Sequence, residues 1–311
     1  MATESDTQNV PVLVTLISTV IINVISCPLI VLLNVLVIMA VKRRPRLQTN
    51  TNILLACLAA TDAVLTGLLV QPSFIFWKTL QLLGNTPSQE SKDATRFHNS
   101  SLRTAFMCSS LHLMLVTGER LVAIKFTMRY PYVVTAKNMK YTVMVFWILA
   151  ITWGITDMLS QVYYDSLILY LNFGLAIILI SCVLFITCSY MILYRETLHQ
   201  RQKIKTQQLL PEEVERFAKE SKALKTTVYV VGAVVFCLLP AAFFLLWVVS
   251  LSPDANPTKL KFFYAFTPWF RTFGILNSLL NPLIYCWRQE EIRKFVFRFR
   301  ARQVVLPVNL S

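Results

Sequence analysis

The chain alternates long apolar runs with short charged stretches, and seven of the runs reach the length a membrane-crossing helix needs, about 20 residues. They cover Val12 to Val41, Ile53 to Trp77, Phe97 to Ile124, Tyr141 to Met158, Leu167 to Tyr194, Thr226 to Ser250 and Phe262 to Trp287. The pattern predicts an all-α protein: a seven-transmembrane helix bundle over residues 12–287, with a short extracellular N-terminus at 1–11 and a cytoplasmic tail at 288–311. The first run is too long for the apolar core of a signal peptide and has no basic segment before it, so it is expected to be a retained helix.

Two charged stretches carry helical signals of their own. In the tail, Ile292, Phe295, Val296 and Phe299 recur at helical spacing with Arg293, Lys294, Arg298 and Arg300 between them. That predicts a short amphipathic helix over Gln289 to Arg302 lying on the inner leaflet, with a disordered basic tail as the alternative. The third inner loop, Arg195 to Lys225, contains Pro211-Glu212-Glu213, a helix start expected to extend the sixth helix into the cytosol.

Composition sharpens this picture. Hydrophobic residues make up 55% of the chain and charged residues 15%, which excludes an ordinary soluble domain. With the N-terminus outside, all but seven of the 30 Lys and Arg fall inside, Lys42, Arg43, Arg44, Arg46, Lys125, Arg129, Lys137 and Lys140 among them. This is the positive-inside asymmetry. The net charge of +14 is split among loops without an aromatic-interleaved patch, which points to anionic inner-leaflet lipid and acidic cytosolic protein rather than nucleic acid. All seven cysteines lie within predicted spans, so no extracellular disulfide is expected.

The polar residues inside the runs need an explanation, because unpaired polar groups at bilayer depth are costly. Asp62 is the only acidic residue assigned to the membrane interior, and Ser109, Asn277, Ser278, Asn281 and Asn34 fall at similar depth. One carboxylate with several hydroxyl and amide oxygens suits a hard monovalent cation, sodium being the natural candidate. A hydrogen-bonded network that only packs the helices fits the same residues. At the inner end, Glu119-Arg120 closes the third run and Glu220 precedes the sixth, so Arg120 has carboxylates both beside it and across helices. Arg103 and Arg271 sit near the outer ends of their runs, where both can snorkel toward headgroups.

Taken together, Asn34, Leu58-Ala59-Ala60-Thr61-Asp62, Glu119-Arg120-Leu121, Trp147, Tyr190, Cys237-Leu238-Leu239-Pro240 and Asn281-Pro282-Leu283-Ile284-Tyr285 resemble the motifs of rhodopsin-like G-protein-coupled receptors in order and spacing. The likeness is greatest to the group of melanocortin, adenosine, cannabinoid and lysophospholipid receptors, through Ala123-Ile124-Lys125-Phe126-Thr127-Met128-Arg129-Tyr130 and Cys182 in place of the fifth-helix proline. Thr95 stands where most members carry the third-helix disulfide cysteine.

The resemblance implies a plasma-membrane receptor, not an enzyme, that passes the binding of an extracellular small molecule, lipid or peptide to a heterotrimeric G protein, with arrestin as a further partner. It puts an allosteric sodium ion on Asp62, Ser109, Asn277, Ser278 and Asn281. It makes Glu119, Arg120, Tyr190, Glu220, Pro240, Pro282 and Tyr285 the switch that engages the G protein. Leu238 replaces the tryptophan beneath the ligand and Leu121 the tyrosine after the arginine, so activation is expected to run through Phe106 or through repacking around Pro240.

Leu102 stands where amine receptors carry an aspartate, and Arg271 shares a helical face with Gly274, Ser278 and Asn281. An acidic lipid or similar amphiphile is therefore expected, its head on Arg271 with Arg103 assisting. Leu102, Phe106, Met107, Leu238, Ala241, Ala242, Leu245 and Ile275 would supply the apolar walls. A transporter or channel is the alternative, but neither an internal repeat nor a ring of pore charges is visible. His98, His112 and His199 are scattered and assemble no catalytic set. Asn99-Ser100-Ser101 forms a glycosylation sequon near the outer membrane edge.

Overall fold

A computed structural model describes residues 4–83, 89–206, 229, 232, 235–247 and 257–303. Within them the chain is helical almost throughout: α1 (Glu4–Arg43), α2 (Asn50–Leu82), α3 (Gln89–Lys125), α4 (Ala136–Tyr163), α5 (Asp165–Thr206), α6 (Val235–Trp247), α7 (Pro257–Arg288) and α8 (Glu290–Gln303). The first five are long and apolar enough to cross a membrane. α7 has the length, and Arg271, Asn277, Ser278 and Asn281 dilute its apolar character.

The helices form one bundle around a continuous apolar core. α3 runs through its middle and packs on α2, α4 and α5, while α1 packs on α2, α7 and α8. Ile17, Ile21, Ile25, Phe185, Met191 and Ile192 remain exposed on α1 and α5, as side chains facing lipid would. Polar side chains tie α1 to its neighbours: Asn23 Nδ2 donates to Thr272 Oγ1 at 3.0 Å and Gln71 Nε2 to Ser26 Oγ at 2.7 Å.

Two prolines shape the interior locally. In α2 the nine residues Asp62–Val70 form a π-helical segment, and Gln71 N–H reaches back five residues to Thr66 O. Pro72 follows at once. It has no N–H for Leu68 O and its ring would meet that carbonyl in a regular helix, which gives the widening a cause in the sequence. In α7, Pro282 deprives Ser278 O of its helical donor. Asn34 Nδ2 of α1 supplies the missing hydrogen bond at 3.0 Å.

α8 stands where the tail's periodicity predicts a helix. Ile292 and Phe295 are buried, Arg293 and Lys294 are exposed, and Gln289 Nε2 donates to Asn52 Oδ1 at 3.2 Å. Only Tyr164 separates α4 from α5, so the connection between them is too short to fold over the bundle. The described part of the loop after α5 continues that helix to Thr206, and Pro211-Glu212-Glu213 lies outside the described residues.

Two expectations need correction. Asp157 lies inside the fourth run although Asp62 was taken as the only acid of the membrane interior, and it is fully buried on α4. Arg103 does not snorkel but pairs with it, Nη1 lying 2.7 Å from Asp157 Oδ2. Arg271 turns inward as its helical face leads one to expect, its Nη1 buried. A side chain snorkels only where no better partner is near; here Arg103 has a carboxylate in reach and Arg271 an indole ring.

Candidate functional site

Asp62 begins the π segment of α2 and is fully buried. Its Oδ1 accepts from Ser109 Oγ of α3 at 3.1 Å and from Ser278 Oγ of α7 at 2.8 Å, and its Oδ2 accepts from Asn281 Nδ2 at 2.9 Å. Thr66 Oγ1, one π turn along α2, lies 3.0 Å from Ser278 Oγ. Four of the five residues expected to form a cation pocket thus meet directly, while Asn277 is buried beside them without bonding the carboxylate.

The charge balance of this cluster is incomplete. Every donor to Asp62 is neutral, and among the described residues no cation pairs with it. Asn277 Oδ1 and Asn281 Oδ1 are buried acceptors without a partner there. A cavity of about 10 Å³ adjoins the cluster, lined by Thr66, Ser109, Asn277 and Ser278 on one side and Phe106, Leu238 and Ile275 on the other. That is about the least space a single water-sized guest needs. The donors are all oxygens, a carboxylate with hydroxyls and amide carbonyls, and such a set fits a small hard cation.

Toward the other end of the helices lies a larger cavity of about 310 Å³. α3 contributes Asn99, Leu102, Arg103 and Phe106; α4 and α5 contribute Gln161, Ile168 and Asn172. α6 and α7 close it with Ala241, Phe244, Leu245, Phe270 and Arg271. Of the residues expected to bind ligand, Leu102, Arg103, Phe106, Ala241, Leu245 and Arg271 line this space. Leu238 and Ile275 line the small cavity beside Asp62 instead, and Met107 and Ala242 are buried without lining either.

Leu102 and Phe106 line both cavities and so form the partition between them. The Phe106 ring lies directly over Gly274 of α7, where an added Cβ would fall 2.3 Å from Phe106 Cζ. The absence of a side chain at 274 is what lets the ring sit there.

Beside the partition, Asp157 accepts from Arg103 Nη1 through both oxygens at 2.8 and 2.7 Å, from Ser100 Oγ at 2.7 Å and from Gln161 Nε2 at 2.8 Å. Arg103 is thereby neutralised. Arg271 is not: its Cζ lies 4.9 Å from the centroid of Trp77, its Nη1 has no acceptor, and no carboxylate among the described residues pairs with it. Asn99 is half-buried and lines the cavity, and the Nδ2 that a glycan on this sequon would occupy lies 3.5 Å from Gln161 Oε1.

Asn99, Gln161, Asn172, Phe244 and Phe270 were absent from the expected pocket. Asn172 carried a readable signal, being a polar residue within an apolar run as Asp62 is. The two phenylalanines carried none, because aromatic residues abound in these helices.

At the end of the bundle bearing α8, Glu119 is buried and doubly held: Thr51 Oγ1 donates to Oε2 and Tyr130 OH to Oε1, each at 2.8 Å. Arg120 Nε lies 3.2 Å from Glu119 Oε2. Burial, with the Glu119 carboxylate beside it, holds the Tyr130 phenol above its usual range, against the opposing effects of the Asn50 hydrogen bond and the Arg120 charge. Tyr190 and Tyr285 are buried, and the Tyr285 hydroxyl has no hydrogen-bond partner among the described residues. Pro282 is buried in α7 and Pro240 half-buried in α6. Glu220 lies outside the described residues.

Comparison with known proteins bears on what these three regions are for. The sequence profile described as 7 transmembrane receptor (rhodopsin family) matches residues 33–285. The chain is similar to the alpha-1A adrenergic receptor of Bos taurus, at 26% identity over 85% of this chain, and to that of Homo sapiens, at 25% identity over the same share. It spans 63% of the length of each of these receptors. It is also similar to melanocortin receptor 3 of Mus musculus, at 27% identity over 84% of this chain and 78% of the relative.

Proposed function

The chain belongs to the rhodopsin family of seven-transmembrane receptors, and from that premise we propose that it passes the binding of an extracellular ligand to a cytosolic heterotrimeric G protein. The observation that carries this reading is the alignment of three sites along one bundle: a ligand-sized cavity, a buried carboxylate without a counter-ion, and a glutamate-arginine pair at the opposite end. Phe106, in the wall of both cavities, is the physical link between the first two.

The sequence of events follows from these contacts. In the resting packing, Asp62 holds α2, α3 and α7 together through Ser109, Ser278 and Asn281. Asp62, Ser109, Asn277, Ser278 and Asn281 would hold a sodium ion, whose charge would balance the carboxylate and favour this packing. A ligand pressing on Leu102 and Phe106 shifts the partition over Gly274 and loosens the cluster. At the basic end, Arg120 is retained by Glu119, itself fixed by Thr51 and Tyr130. Releasing Arg120 opens the face that meets the G protein, with Tyr190 and Tyr285 rearranging around it and α6 and α7 bending at Pro240 and Pro282. The same face would receive arrestin.

The ligand is an acidic amphiphile, a lipid in the simplest case. Support comes from Arg271, a cavity-lining arginine with no carboxylate among the described residues, set among apolar walls. The short α4–α5 connection leaves a lipid-like ligand little lid to pass. The amino terminus lies outside the cell at the plasma membrane. The support is charge: Lys42 and Arg43 in the last turn of α1 and Arg44 and Arg46 just beyond it are exposed and, like Arg293 and Lys294 of α8, would meet anionic inner-leaflet lipid.

Nucleotide exchange on a panel of purified G proteins, in membranes carrying wild type, Glu119→Gln or Arg120→Ala, tests the coupling without a ligand. Exchange is expected to rise in Glu119→Gln and to vanish in Arg120→Ala. Equal exchange in all three, with surface expression matched, refutes the role of the pair.

A further inference from the structure

Two cations lie against one indole next to the cavity, Arg271 lining it and Lys78 and Trp77 standing outside its lining, and neither cation has a counter-ion among the described residues. Arg271 lines the cavity with its Cζ 4.9 Å from the Trp77 ring centroid and its buried Nη1 without an acceptor. Lys78 Nζ lies 3.8 Å from the same centroid, and the residue is 6% exposed. Its acceptor among the described residues is Gln81 Oε1 at 2.9 Å. His98 stacks on Trp77 with centroids 5.5 Å apart, fully buried, its Nε2 without a partner. The neighbouring cation, Arg103, is already neutralised by Asp157.

An ammonium carries three donors and a guanidinium five, so this corner has donors to spare and positive charge uncancelled. A lysine left unpaired near a membrane edge normally extends its stem to water. Lys78 does not. Holding two like charges against one ring in the interior is costly unless an anion joins them. A carboxylate brings one negative charge and two oxygens, enough for Arg271 alone. A phosphate monoester brings nearly two charges and three terminal oxygens.

We propose that the ligand's head is a phosphate monoester, shared by Arg271 and Lys78 beside Trp77, with an apolar chain occupying the cavity between α3 and α6. This rests on the acidic-amphiphile reading and adds Lys78 as the residue that selects a double charge over a single one. Lys78 belongs to α2, so the head would also bridge α2 to α7, the two helices that meet again at Asp62.

The test uses three probes with one chain and different heads, octyl phosphate, nonanoate and octanol, together with inorganic phosphate. Affinities are read from the thermal-stability shift of the full chain in neutral-lipid nanodiscs. Wild type is expected to bind octyl phosphate roughly tenfold or more tightly than nonanoate, the weight of one extra charge-assisted hydrogen bond. Lys78→Met should erase that preference and leave nonanoate affinity within about twofold, Lys78→Arg should keep it, and Arg271→Met should bring both acids to the level of octanol. Inorganic phosphate should bind far more weakly than octyl phosphate.

Equal affinity for the two acids in wild type overturns the proposal, as does a Lys78→Met loss that falls on both alike; the acidic-amphiphile reading survives either result. Failure of both acids to exceed octanol overturns that reading as well. Inorganic phosphate binding as tightly as octyl phosphate would assign the site to the free ion and overturn the amphiphile. The unliganded melting point of each variant separates misfolding from lost affinity.

Discussion

Replacing Asn34 with leucine should destabilise the bundle through a carbonyl on another helix. Pro282 leaves Ser278 O without its helical donor, and Asn34 Nδ2, on a fully buried side chain, fills the vacancy at 3.0 Å. In Asn34→Leu that carbonyl is buried and unpaired, at a cost of about 1–3 kcal/mol. On the scaling for soluble domains of 150–250 residues, each kcal/mol lowers the melting point by roughly 2–4 °C. The cause is separable by a double-mutant cycle. Pro282→Ala restores an N–H at position 282, so Asn34→Leu in that background should cost at least about 1 kcal/mol less than in wild type. The protein supplies its own assay, because Cys108, Cys182 and Cys237 are buried free thiols that a thiol-reactive dye reaches only on unfolding. Additive losses, with a coupling below roughly 0.5 kcal/mol, would refute the reasoning.

Gly274→Ala pushes a methyl group into the Phe106 ring, since the new Cβ would fall 2.3 Å from Cζ; the same dye assay should register an overpacking cost of about 1–3 kcal/mol, largely recovered by adding Phe106→Leu. Asp157→Asn leaves the partly buried Arg103 without its counter-ion, and a loss of about 3 kcal/mol is expected by the rule for buried pairs; Arg103→Met in the same chain should restore much of it. Glu119→Gln keeps acceptor and shape but removes the charge that retains Arg120, so basal nucleotide exchange should rise while the melting point falls; a rise with no dependence on Arg120 would point elsewhere.

Much of the bundle was legible as periodicity. Apolar runs long enough to span a membrane marked the helices, and the spacing of Ile292 and Phe295 marked α8, because burial against lipid or core imposes the same period on both. Helix ends were less legible. α3 begins at Gln89 and α5 runs on to Thr206, since nothing in those charged stretches breaks a helix once it leaves the apolar layer. The Asp62 cluster was readable residue by residue, because a carboxylate, two serines and two asparagines have no reason to lie deep in apolar runs unless they meet. The π segment was not readable, although Pro72 is its local cause.

The upper site was harder to read. Asp157 was missed because an acid near the end of a run is usually wet, and only the approach of Ser100, Arg103 and Gln161 makes its burial tolerable. Lys78 was missed for the same reason: a cation at a helix end is assumed to snorkel, and nothing in the linear sequence brings Trp77 and Arg271 together.

The account turns on Asp62 as the point where a cation and the activation switch meet, and basal nucleotide exchange under a sodium titration tests this most directly. Wild type, with potassium making up constant ionic strength, should lose exchange as sodium rises, while Asp62→Asn should show no sodium dependence. Exchange in wild type that is indifferent to sodium, or an Asp62→Asn receptor that keeps the full response, would contradict the account.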